Sequence, residues 1–146
     1  MLDAGREEKR LAEERNDYHQ GVPTVTVIVD GGWSKQSHKH SYNAKSGVGI
    51  IIGQATGKLL FIGIRNKYCS ACAQGISPSE HECYKNWDDS SSEMESDIIL
   101  EGFKQAEETH GVRYLRFIGD GDSSVYPTLL QHVPVWGRYI KKNGVR

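Results

Sequence analysis

No stretch of this chain is apolar for long enough to span a bilayer, and its amino terminus lacks the apolar core of a secretory signal. Cysteine is scarce. There are three, an odd number, and with no secretory signal this argues against a disulfide framework. No internal repeat and no low-complexity tract is found, which sets aside solenoid and compositionally disordered architectures. Acidic residues are missing from two spans, between Asp30 and Glu80 and again after Asp122. Lys35, Lys39, Lys45, Lys58, Arg65 and Lys67 fall in the first span, and Arg138, Lys141, Lys142 and Arg146 in the second. The net charge of -1 excludes a uniformly basic nucleic-acid binder, but charges segregated in this way can form one basic face. The other reading is an ordinary solvated surface, and composition leaves both open. What remains is a chain of 146 residues with 25% charged and 37% apolar residues, the natural size and balance of one globular domain.

Two stretches share a design. Tyr114-Leu-Arg-Phe-Ile-Gly119 has strand character, breaks at the glycine, and is followed by Asp120, Gly121, Asp122, Ser123 and Ser124. The serines suit the cap of a following helix. Earlier, Thr24-Val-Thr-Val-Ile-Val29 is a β-branched run that leads into Asp30, Gly31 and Gly32. If the two strands are parallel neighbours, their aspartates emerge at one carboxyl edge, where open α/β sheets hold their sites. Two converging carboxylates repel each other, and a divalent cation is the usual remedy. The competing reading of each aspartate is a turn or helix cap. Asp120 and Asp122 are rivals for the second position, and strand parity does not choose between them.

Taken in order, Ala4–Arg15 reads as a charged helix with a thin apolar stripe, a surface element or lead-in over residues 1–22. Thr24–Asp30 is the first strand, and its composition suits a central position covered on both faces. Gly47–Gly53 and Leu59–Arg65, joined by the turn Ala55-Thr-Gly-Lys58, form an antiparallel hairpin. Asn66–Ser90 has no period. Ser91–His110 is the clearest helix, with Met94, Ile98, Ile99, Phe103 and Ala106 inward and Asp97, Glu101, Lys104 and Glu108 outward. Glu95 stands one turn before Ile99, on the line of the buried stripe, where it could reach the metal edge or simply favour the helix dipole. A strand over 114–119, a helix over Ser123–His132 and the start of a strand at Arg138 complete the order. A hairpin followed by α/β crossovers matches a ribonuclease H-like mixed sheet over 23–146, with the first and fourth strands adjacent and parallel.

Cys69-Ser-Ala-Cys72 followed by His81-Glu-Cys83 has the ligand count of a closed tetrahedral zinc site. The segment around it, 66–87, holds too few apolar residues to build a core, so a metal would supply the order. The alternatives are a disulfide with a free thiol, or three unrelated cysteines. Three other motifs fail. Gly53-Gln-Ala-Thr-Gly57-Lys58 is one residue short of a phosphate loop and leads into a strand; Gly47-Val-Gly49 lies inside a strand; and Asp120–Ser124 opens like a calcium loop but has Val125 where the turn glycine belongs.

Several stretches together are similar to one family: Val29-Asp-Gly-Gly-Trp-Ser34, Tyr42-Asn-Ala44, Arg65-Asn-Lys-Tyr-Cys69 with Cys72, His81-x-Cys83 with Asn86-Trp87, Ser92-x-Met94-Glu95, and Ile118-Gly-Asp-Gly-Asp-Ser-Ser-Val125. This joint pattern resembles the Mutator-like transposase domain of mobile elements. The resemblance implies a ribonuclease H-like core that cuts and rejoins DNA with three acids and two divalent cations, Mg²⁺ or Mn²⁺. Asp30 matches the first acid and Asp120 the second. The family's third acid lies after the fifth strand, beyond Arg146. The resemblance also implies a nuclear protein that acts on DNA, with an oligomer possible in the full-length protein. A zinc-stabilised DNA- or protein-binding module without catalysis is the alternative.

One expectation follows directly from the cysteine spacing. The purified chain should hold one zinc ion per molecule through Cys69, Cys72, His81 and Cys83, as read by elemental analysis after exhaustive dialysis. A metal-free chain in which the 66–87 segment is nonetheless protected from proteolysis would contradict it.

Overall fold

β-Branched side chains are stiff at χ1 and fit an extended backbone, and the run Thr24–Val29 becomes the middle of the sheet. The computed structural model describes residues 1–33, 46–66, 74–75, 93–119 and 125–145. In chain order these give α1 (Leu2–Glu14), β1 (Tyr18–His19), β2 (Val22–Trp33), β3 (Ser46–Gly53), β4 (Leu59–Asn66), α2 (Met94–Lys104), α3 (Ala106–His110), β5 (Arg113–Gly119), α4 (Val125–His132), a 3-10 turn (Gly137–Tyr139) and β6 (Lys141–Val145). The described strands form a six-stranded mixed sheet in the order β4-β3-β2-β5-β6, with β1 paired to the start of β2. β4 with β3 and β3 with β2 pair antiparallel. β2 to β5 and β5 to β6 are parallel, as crossovers through α2–α3 and α4 require. This is a mixed α/β fold.

Alternation along β2 sorts its two faces. Val25, Val27 and Val29 are buried, whereas Thr26, Ile28 and Asp30 are only half-buried. The helices dock on the valine side. α2 lays Ile98 against Gly49 and Gly63, and its own Gly102 against Ile51 and Phe61, so small residues let helix and strands approach closely. Phe103 then meets Tyr114 edge-on at 5.2 Å and stacks on Trp136 at 6.1 Å, tying α2 to β5 and the 3-10 turn. Tyr126 of α4 packs against Phe117 at 5.6 Å. On the opposite face Ile62 and Ile64 of β4 are 43% and 57% exposed, and Thr26 and Ile28 of β2 are only half-buried, so the coverage of the first strand on both faces is incomplete among the described residues.

The structure corrects several boundaries. β2 runs on through Gly31 and Gly32 to Trp33, and β1 is an addition: Tyr18 and His19 pair with Pro23 and Val22. α1 spans Leu2–Glu14, against Ala4–Arg15 in the sequence reading. Its Ala4, Glu8 and Ala12 lie one turn apart and are all buried. The long helix expected over 91–110 bends at Gln105 (φ -92°, ψ -4°), which lets Ala106 and His110 of α3 turn inward. The last strand starts at Lys141 rather than Arg138. Trp136, 5% exposed, is drawn into the core, and the chain through Gly137–Tyr139 coils to reach it.

A methyl group at Gly49 would sit 2.6 Å from Ile98 Cγ2. Gly49→Ala should therefore cost about 1–3 kcal/mol in urea unfolding, the usual range for overpacking a core. An unchanged midpoint would mean that α2 does not seat on β3 in this way.

Candidate catalytic edge

The parallel ladder pairs Thr24 with Arg113 and, after a register shift, Ile28 with Ile118. Both strands then run toward the same carboxyl edge. A Cβ on Gly119 would stand 2.8 Å from Val29 Cγ2, so the two strands close without space one residue short of the acids. Asp30 follows Val29, and its Oδ1 accepts a hydrogen bond from Gly31 N at 2.9 Å. Asp120 follows Gly119 in the sequence. Asp120 and Asp122, with Ser123 and Ser124, lie outside the described residues.

Glu95 comes to the same edge from α2. A Cβ on Gly31 would lie 2.8 Å from both Cγ and Cδ of Glu95 and 3.1 Å from Oε2, so the carboxylate arm rests on the Gly31 backbone beside Asp30. Strand alternation directs Asp30 to the opposite side of β2 from this contact. The two acids thus approach the edge from its two faces. Glu95 is held there because α2 cannot rotate. Met94, Ile98, Ile99 and Phe103 are buried, and on the outer flank Arg65 of β4 donates to Asp97 at 2.8 Å and to Glu101 at 2.6 Å. Burial works against the Arg65 cation, yet the two carboxylates outweigh it and hold its pKa above the usual arginine value.

Segregation along the sequence is only partly segregation in space. Two bases of the acid-free span meet acids from elsewhere: Arg65 on α2, and Lys58 with Glu7 of α1 at 2.7 Å. Lys35, Lys39, Lys45 and Lys67 lie outside the described residues, and so do Cys69, Cys72, His81 and Cys83. Among the described residues no group of three or more His, Cys, Asp or Glu side chains could hold a metal ion. Each candidate metal site draws on residues beyond that set. The Arg65 clamp and the burial of Glu8 were not read from the sequence. The first had a signal in the i, i+4 pair Asp97 and Glu101, and the second in the row Ala4, Glu8, Ala12.

A family model described as Mutator-like transposase matches residues 1–142, and the chain belongs to that family. No curated protein and no solved structure matches the chain.

Gly31 is the contact that fixes Glu95. Gly31 is exposed and its added Cβ would meet only the flexible Glu95 arm, so Gly31→Ala should cost about 1 kcal/mol or less by pushing that arm aside. Adding Glu95→Ala should recover most of that loss, a coupling that denaturation of the four proteins in a double-mutant cycle would measure. Strictly additive effects would contradict the contact.

Proposed function

We propose that this Mutator-like transposase domain is the amino-terminal part of a ribonuclease H-like catalytic core that cleaves and joins DNA strands. Its Asp30 and Asp120 would be the first two metal-holding acids. The observation that carries the reading is the adjacency of β2 and β5 in parallel, closed by the Val29–Gly119 contact, because each of these strands leads into one of the two aspartates. The register supports it further: Ile28 pairs with Ile118, and each acid stands two residues on.

The donor set fits a hard cation. Carboxylate oxygens at a strand edge suit Mg²⁺ or Mn²⁺ and not a thiophilic ion. Bound there, divalent cations would supply an activated water or 3′-hydroxyl and charge relief at the leaving oxygen. The chain's own part is positional. Asp30 is anchored by the Gly31 amide, and Glu95, seated on Gly31, adds negative charge from the helix side and serves as an auxiliary acid. Asp122 is the alternative second acid, two residues beyond Asp120 in the sequence. Cys69, Cys72, His81 and Cys83 would hold a structural zinc that orders the 66–87 insertion. Lys35, Lys39 and Lys45 would meet the phosphate backbone in a salt-dependent manner.

The test is cation binding by the chain itself. Titration calorimetry should show Mn²⁺ binding that Asp30→Asn weakens by about tenfold or more, since an amide keeps the volume of the carboxylate but loses its charge. Circular dichroism and the thermal midpoint should stay as in the parent. Equal Mn²⁺ affinity in the two proteins would remove Asp30 from the site.

A further inference from the structure

The interface that holds α1 on the domain is poor in apolar contact and carries unmet polar groups. Its buried side chains are Ala4, Glu8 and Ala12, with Gly5 beside them. α2 by contrast buries Met94, Ile98, Ile99 and Phe103. Two alanine methyl groups supply only a small part of that hydrophobic gain. Glu8 Oε2 accepts from Thr56 N at 2.8 Å, in the turn between β3 and β4, while Oε1 has no hydrogen-bond partner. His110 of α3 donates from Nε2 to Leu60 O at 3.0 Å, so Nδ1 is the bare acceptor nitrogen of the ring, and it too has no partner. The ring lies against Gly5, where an added Cβ would stand 2.6 Å from His110 Cγ. Among the described residues, the buried side-chain atoms left unmet thus both belong to the α1 interface. Each carries a desolvation cost that water would lift if the helix moved away.

The chain after α1 combines a pivot with an anchor. Asn16 stands at φ +56°, a left-handed conformation that asparagine tolerates. The residue that follows is fixed. Asp17 Oδ1 accepts from Thr24 Oγ1 at 2.6 Å, Oδ2 accepts from Arg116 Nη2 at 2.6 Å, and the Asp17 carbonyl accepts from Thr24 N at 2.8 Å. Beyond it Tyr18 and His19 pair with Pro23 and Val22. A rotation at Asn16 can therefore free α1 without loosening β1 or β2. The ion pair of Glu7 with Lys58 is exposed and resists this only weakly.

We infer that α1 is a hinged helix, a conformational device that leaves the sheet as one unit about Asn16 while the sheet stays folded. Hydration of Glu8 and His110 favours the released state, and the few apolar contacts of α1 do little to oppose it. A free helix of 13 residues is marginal in water, so α1 melts as it leaves. The inference is independent of the proposed catalytic edge. Glu8 rests on Gly53, which pairs with Val27, three residues back along β2 from Asp30.

Native-state hydrogen exchange on the 146-residue chain tests this. The Thr56 amide reports undocking from outside the helix, because its hydrogen bond to Glu8 crosses the interface. The amides of Leu11, Ala12 and Glu13 should exchange together with that of Thr56. After correction for intrinsic rates they should be about tenfold or more faster than Val27 and Phe117. They should also respond little to dilute urea, since a partial opening exposes little surface. Gly5→Ala separates release from simple fraying. Alanine strengthens a helix by itself, so fraying would slow, whereas overlap with His110 should speed exchange of α1 and Thr56 by about tenfold. Glu8→Met removes the unmet oxygen and should slow the α1 amides by about tenfold. If Gly5→Ala fails to fold, the parent and Glu8→Met still decide. Exchange of α1 and Thr56 at the Val27 rate with the same urea dependence, or slower exchange in Gly5→Ala, would overturn the inference.

Discussion

The parallel pairing of β2 with β5 is the contact from which the rest of the arrangement follows. Parallel neighbours cannot be joined by a tight turn, so the chain must leave the sheet and return. α2 and α3 lie on that return. They cover the valine face of β2, and the Phe103 ring joins them to Tyr114, Phe117 and Trp136. The same pairing brings the ends of two apolar strands to one edge. An acid at either end alone would be an ordinary turn residue. On the proposed reading Asp30 and Asp120 would stand side by side, an electrostatic problem that a hard cation would resolve.

Close approach is the second constraint, and it is met by absent side chains. Gly49, Gly63 and Gly102 let α2 settle onto β3 and β4. Gly31 does the same for Glu95 at the edge, and Gly53 for Glu8 at the far end, where a Cβ would stand 2.3 Å from Oε2. Helix seating and acid placement are thus one mechanism. The Arg65 pairs with Asp97 and Glu101 act on the outer flank of the same helix and resist its rotation. As a largely buried guanidinium held by two carboxylates, Arg65 is costlier to leave unpaired than a surface base would be.

Much of this was legible in the sequence because the signals are local. The β-branched run at 24–29 announced a central strand, the Gly-containing turn at 55–58 announced the hairpin, and the 3.6-residue stripe through Met94, Ile98 and Phe103 announced α2. Placing Glu95 on that stripe anticipated its approach to the sheet edge. The features not legible are tertiary. Nothing local says that Tyr18 and His19 pair with the start of β2, or that the helix bends at Gln105 so that His110 can turn inward. Glu8 reads as one more charge on a polar helix until the sheet it packs on is known. The acid-free span left a basic face and an ordinary solvated surface both open, and two of its cations are met by acids of α1 and α2.

The account's central claim is that Asp30 and Asp120 meet at the carboxyl edge and share a divalent ion. Paramagnetic broadening by substoichiometric Mn²⁺, read in amide spectra of the chain, tests this most directly. The account predicts early loss of the Gly31 and Gly119 signals, with Gly57 and Gly111 at the other end of the sheet unaffected. Uniform broadening, or broadening centred on Gly57, would contradict it.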